Sequence, residues 1–181
     1  MSHQYKKKLN SKSNQYLCIT MHIILATTRF KNSTWEQNCK WRRNNNWEGC
    51  IYGSPTRIKD NIPINALMFI LEMNNETNMV MGVGLIANHI VSNKRYKIYE
   101  WGNYNRFVYK SQYRIDRRDM LIEEEAIITL FDKLLFTGYG HLKRGHGITC
   151  VPEKIYNKEI DFVGKFRTMF IKRFQSHGDK L

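Results

Sequence analysis

The segment KNSTWEQNCKWRRNNNWEGC sets three of the chain's four tryptophans, Trp35, Trp41 and Trp47, among Lys40, Arg42 and Arg43. An indole offers a flat, polarizable face on which a nucleobase stacks, a contact of roughly 1 to 3 kcal/mol per base. Guanidinium and ammonium groups beside it neutralise phosphate. The fourth tryptophan, Trp101, opens the run WGNYNR, in which Asn103 adds an amide able to read a base edge, Tyr104 a second ring and Arg106 a cation. A further group, GYGHLKRGHG, places His141, Lys143, Arg144 and His146 among glycines that let backbone N–H groups approach an anion. It lacks the GxxxxGK[ST] spacing of a nucleotide-binding loop. The residue types therefore predict base contacts at Trp41, Trp47, Trp101, Asn103 and Tyr104, and phosphate contacts at Lys40, Arg42, Arg43, Arg106, Lys143 and Arg144. The plainer reading of each is core packing for a tryptophan and a solvated connector for the glycine loop.

Reaction chemistry has less support. His141, His146 and Cys150 are irregularly spaced, and Cys39 and Cys50 form no CxxC pair, so neither a metal site nor a thiol nucleophile is expected, nor any cofactor. Glu123, Glu124 and Glu125 suit a helix start, where they complement the macrodipole. Arg114, Arg117 and Arg118 around Asp116 can bind phosphate or pair with those glutamates. Glu72 reads as a lone acid on the exposed face of a strand.

The elements that must position these groups fit one domain, since 181 residues with 42% apolar and 13% aromatic content bury an adequate core. The first fifteen residues, polar and lysine-rich, read as a flexible basic arm ahead of a single domain over 16–181. The formal net charge of +13 favours a polyanionic partner. No run of eighteen apolar residues occurs, and no lipidation motif, so a membrane partner is not expected. Four scattered cysteines argue for reduced thiols and an intracellular setting, in the nucleus, the cytoplasm or a virion. The abundance of Asn, Lys, Ile, Tyr and Met is what an A/T-rich genome encodes, such as many protists and large DNA viruses carry.

Along the chain, YLCITMHIILATTRF reads as a buried strand, followed by a short helix bearing Trp35 and capped by Asn32 or Ser33. GCIYGSP predicts a second strand. ALMFILEMNNETNMVMGVGLIA predicts a hairpin turning on Asn74, Asn75 and Asn78, with Gly82 and Gly84 marking a bulge or the close approach of another backbone. Alternation over 96–101 and 106–113 predicts a second hairpin. A helix is expected to start at Asp116 and stop at Gly138, and another to span 158–173. Strands arriving in hairpins predict an α+β fold, a small mixed or antiparallel sheet curled into a barrel with helices at its side.

The strand IILATTRF, the W-x-G element of Trp47, Glu48 and Gly49, and the hairpin LMFILEMNNETNMVMGVGLI together resemble the PUA-like superfamily, nearest in character to its EVE and YTH members. The likeness covers about residues 21–115; IKDNIP and the C-terminal third depart from it. The resemblance implies a compact barrel whose cleft takes one base, modified or flipped, between walls formed by Trp47 and Trp101 with Asn103 or Tyr104 nearby. The function expected is accordingly nucleic-acid binding without catalysis, to RNA or to DNA with an accessible base. One alternative is an enzyme acting on RNA or nucleosides, like the ASCH group of the same superfamily, using Glu72, Lys110 and His141. Another is a structural or virion protein that condenses a genome.

Overall fold

The computed structural model describes residues 23–155 and 159–174. The basic arm and the opening of the first strand, 16–22, lie outside the described residues. The elements run β1 (Ile24–Phe30), α1 (Asn32–Asn44), β2 (Cys50–Ser54), β3 (Leu67–Asn74), β4 (Met79–Ala87), β5 (Phe107–Ser111), β6 (Arg114–Asp116), α2 (Ile122–Phe136), β7 (Thr149–Cys150) and α3 (Phe162–Phe174). Five strands form a mixed sheet in the order β6-β4-β3-β1-β7, with β1 parallel to β3 and the other neighbours antiparallel. A second ladder pairs β2 with β5.

The fold is α+β, as expected. Its strands do not close into a barrel: the chain steps from the small ladder into the large one through Gln112 and Tyr113, and β2 pairs only with β5 among the described residues. At the step, the Leu85 N–H donates to the Tyr113 carbonyl at 3.0 Å, which holds the corner against β4.

Both faces of the large sheet are covered, which is why β3 and β4 read as nearly unbroken apolar runs. Phe69, Leu71, Val83 and Leu85 face α2 and α3, meeting Phe131, Leu135, Phe166 and Phe170. On the other face Ala26, Phe30, Met68, Ile70 and Ile86 pack against Ile51, Tyr52, Val108 and Tyr109 of the small ladder. Among the described residues no helix is long and apolar enough to cross a membrane.

The β3–β4 hairpin forms as expected, and Asn78 takes the left-handed conformation (φ 54°) that its turn requires. Gly82 and Gly84 mark close approach: a Cβ on Gly82 would lie 2.7 Å from the Ile115 carbonyl, and one on Gly84 2.1 Å from the Tyr52 hydroxyl. The register shift falls there too: between the Leu71–Val83 and Met73–Val80 pairs Glu72 stands opposite both Met81 and Gly82, so β4 carries the extra residue of a bulge.

Three expectations need correction. The second hairpin is absent, because 96–101 pairs with no strand and β5 pairs with β2. Its alternation is still physical: Tyr96, Ile98 and Tyr99 are buried while Lys94, Arg95 and Lys97 face solvent, an in-out pattern without a ladder. Asp116 ends β6 rather than starting the long helix; its carboxylate accepts from the Arg118 N–H and caps a single 3-10 turn, and α2 begins six residues later. Lys31, not Asn32 or Ser33, occupies the cap position of α1, and its N–H donates to Thr34 Oγ1 at 2.9 Å.

Candidate functional site

A cleft of about 490 Å³ opens where β1 ends and α1 begins, within the size range of ligand pockets. Thr28, Phe30 and Lys31 form one side, Ser33 and Thr34 the start of α1, Tyr99, Trp101 and Tyr104 the aromatic wall, and 145–147 the far rim. Trp101 is 61% exposed, an unusual placement for the largest side chain. Its ring meets Tyr104 edge to face at 4.9 Å, and Tyr104 in turn meets the buried Tyr99 at 6.0 Å.

This wall is held by backbone-directed amides. Asn105 Oδ1 accepts from the N–H groups of Ile98 and Tyr99, both at 2.9 Å, while its Nδ2 donates to the Tyr99 carbonyl at 2.6 Å. Asn38, buried on α1, donates to the Ile51 carbonyl at 2.7 Å and to the Tyr99 hydroxyl at 3.2 Å, tying helix, β2 and wall together. The Glu100 N–H donates to Gln37 Oε1 at 3.0 Å. Gly53 makes room for the Trp101–Arg106 turn, since a Cβ there would lie 2.2 Å from the Tyr104 carbonyl. Burial pushes the Tyr99 hydroxyl pKa well up, so this group remains a neutral hydrogen-bonding phenol.

The far rim is organised by Arg29. Its guanidinium donates to the Leu142 carbonyl and, at 2.9 Å, to Thr149 Oγ1, and a Cβ on Gly145 would lie 3.5 Å from its central carbon. Burial lowers the Arg29 pKa to about 10, which leaves it cationic at neutral pH. Gly145 and Gly147 have φ of 121° and 69°, conformations that exclude ordinary side chains from this part of the loop. Asn75 Nδ2 donates to the Lys143 carbonyl at 2.8 Å, and its Oδ1 is buried with no hydrogen-bond partner among the described residues.

The expected base-contacting residues divide. Trp101 and Tyr104 come together in the cleft. Asn103 is exposed on the opposite side of the same turn, in a groove of about 980 Å³ shared with Arg106. Trp41 packs on Tyr96 at 5.9 Å and lines a separate shallow hollow with Lys40. Trp47 is half-buried, donates from Nε1 to the Cys50 carbonyl at 3.2 Å, and lies under the Lys110 ammonium at 3.4 Å; it is not part of the cleft wall. Trp35 packs edge to face on Phe30 at 5.1 Å.

The expected phosphate contacts divide as well. Arg42 donates to Asn38 Oδ1 at 3.1 Å and Lys143 to Asn78 Oδ1 at 2.8 Å, so both serve the fold. Lys40, Arg43, Arg106 and Arg144 are exposed. Unforeseen from the sequence were Arg29, Asn38 and Asn105, whose long-range partners leave no local signature, and the cations Lys94, Arg95 and Lys97, which the K-R-Y-K alternation does signal.

The groups considered for catalysis lie in three different environments. Glu72 is not on an exposed face: it is 1% exposed, accepts from the Tyr52 hydroxyl at 2.8 Å, and forms an ion pair with Arg114 at 2.7 Å. A strand covered on both sides has no exposed face to offer it. Lys110 is laid on Trp47, and burial together with the neighbouring Lys94 charge lowers its pKa. His141 Nδ1 is buried with no hydrogen-bond partner among the described residues. Among the described residues no three His, Cys, Asp or Glu side chains converge as metal ligands would. What the cleft can do chemically is stack a planar group on Trp101 and offer hydrogen bonds from its floor. No protein-family model, curated protein sequence or solved structure matches this chain.

Proposed function

We propose that the protein binds nucleic acid through an accessible base, taken into the cleft between the Trp101–Tyr104 wall and the start of α1, in an open variant of a PUA-like architecture. The supporting observation is Trp101 itself: an indole 61% exposed at the lip of a concave, polar-floored cleft, braced from behind by Tyr104, in a chain of net charge +13. Beyond its edge contact with Tyr104 the ring has a face left in water, and that face supports a base-stacking role. The cation excess supplies the sequence-independent part of the affinity.

The test is fluorescence anisotropy with a labelled single-stranded oligonucleotide. Loss of one stacking contact of roughly 1 to 3 kcal/mol predicts that Trp101→Ala weakens binding by about 5- to 150-fold. The melting temperature should stay within about 2 °C of the parent, because the ring is mostly in water. Unchanged affinity in Trp101→Ala would remove the base from the cleft and leave a protein that condenses polyanions by charge alone.

A further inference from the structure

We infer that the phosphodiester backbone of a single-stranded nucleic acid runs through the groove lined by Lys94, Arg95, Lys97 and Arg106, entering it over the Trp101–Arg106 turn. The inference rests on the base-binding reading of the cleft and adds the path of the strand. The groove and the cleft share Tyr99 and Glu100, and the turn between them shows a different side to each. Trp101 and Tyr104 face the cleft; Gly102, Asn103, Asn105 and Arg106 face the groove. A strand with one base against Trp101 has its next phosphates at the groove's edge.

The distribution of charge singles this groove out. Three inward arginines are matched by acids, Arg114 with Glu72 and Asp116, Arg117 with Glu125 and Asp132, Arg173 with Glu124, and Arg29 is held by carbonyl and hydroxyl oxygens. Among the described residues Lys94, Arg95, Lys97 and Arg106 have no ion-pair partner, although like charges crowded on one loop repel. Among the described residues Glu100 is the one acid on the lining. Two of these cations are laid on rings, Lys94 over Tyr96 at 5.3 Å and Arg106 over Phe107 at 5.2 Å, which fixes them before a ligand arrives. Unneutralised, pre-positioned cations in a concavity of about 980 Å³ match a chain of phosphates better than a single anion.

The experiment measures affinity against salt for the full chain with labelled U15, dT15 and a 15-base-pair duplex. The groove variant is Lys94→Gln/Arg95→Gln/Lys97→Gln. The charge-matched control is Lys133→Gln/Lys165→Gln/Lys172→Gln, exposed positions on α2 and α3. With about 0.7 counterions released per phosphate on a single strand, the groove variant should flatten the log–log slope by about 2 and lose about 100-fold in affinity at 0.1 M salt. The control should keep the parent slope, and U15 and dT15 should respond alike. Equal losses in the two variants would overturn the path while leaving base binding intact, which the Trp101→Ala measurement reads separately. A duplex held as tightly as the single strands would also overturn it. So would a groove variant that loses binding only to phosphatidylserine vesicles. Absence of any oligonucleotide binding by the parent would remove both the path and the proposed function.

Discussion

Replacing Glu72 by Gln tests whether the charge buried between the two ladders organises the fold. The Glu72 and Arg114 side chains are 2% and 3% exposed, and Arg114 donates to Glu72 from Nε at 3.0 Å and from Nη2 at 2.7 Å, with the Tyr52 hydroxyl as a further donor. Gln preserves shape and one acceptor but turns the other oxygen into an amide NH₂ that faces donors. As a charged partner the guanidinium then keeps Asp116 alone among the described residues, at 3.0 Å. Breaking a buried pair from one side costs about 3 to 5 kcal/mol, and the surviving Asp116 contact places this case near 3. At about 2 to 4 °C per kcal/mol for a chain of this size, the melting temperature should fall by about 6 to 12 °C in a circular dichroism melt. The double variant Glu72→Leu/Arg114→Met removes both charges and should recover most of the loss. A single variant melting within about 2 °C of the parent, or a double variant no better than the single, would refute the assignment.

Two other expectations follow from the same region. Burial pushes the Cys50 thiol up to about 12, with the Glu72 charge adding to the effect, so at pH 8 iodoacetamide should alkylate the exposed Cys150 and leave Cys50 untouched until urea unfolds the chain, as peptide mass spectrometry would read. Burial raises the Asp116 carboxyl pKa, but hydrogen bonds from Arg118 and the Arg114 charge outweigh it and hold the group at about 2. A carboxyl held below its unfolded value stabilises the fold above about pH 4, and that contribution, up to about 2 kcal/mol, is lost as the pH falls towards 2. The stability gap between the parent and Asp116→Asn, from urea unfolding, should therefore close over that interval; a constant gap would show that the carboxylate contributes no charge-dependent stability.

The local signals in the sequence located most elements, and the failures share a cause. Apolar runs with turn asparagines identified β3 and β4, and Gly138, at φ 73°, follows the end of α2 as expected. Alternation over 96–101 reported correctly which side chains go inward, but pairing depends on which backbone lies alongside, and there Asn105 satisfies the N–H groups of Ile98 and Tyr99 that a strand partner would have taken. Glu72 was misplaced for a similar reason. A carboxylate on a strand looks exposed until the partners that make burial tolerable, Tyr52 twenty residues earlier and Arg114 forty-two later, are known. At the site, the type of residue was legible and its direction was not. All four tryptophans, of equal chemical promise, find a ring, a cation or a carbonyl to pack on, but Trp35, Trp41 and Trp47 are partly buried there and Trp101, on Tyr104, alone among them is left largely in water.

The position of the cleft follows from topology rather than from any motif. Parallel pairing of β1 with β3 requires a crossover, and α1 with β2 supplies it, so the chain leaves the sheet at the end of β1. That end carries the first turn of α1, at Lys31, Ser33 and Thr34, which has no acid of its own and whose Asn32 N–H donates to the Glu76 carboxylate from the β3–β4 turn. The β3–β4 turn emerges on the same side, because parallel partners end together: Phe30 pairs with Asn74, and the Asn75 N–H donates to the Phe30 carbonyl at 2.8 Å. The 142–149 loop, drawn in by Arg29 from that strand, closes the third side. Three connections thus converge where the strand ends leave backbone groups without a ladder, and the Trp101 turn, lodged against Gly53, only has to cover the remaining gap. Moving that turn by substituting Gly53→Ala should consequently weaken oligonucleotide binding through the wall, even though residue 53 presents no group to a ligand; a variant that binds normally would mean the wall is not what holds the base.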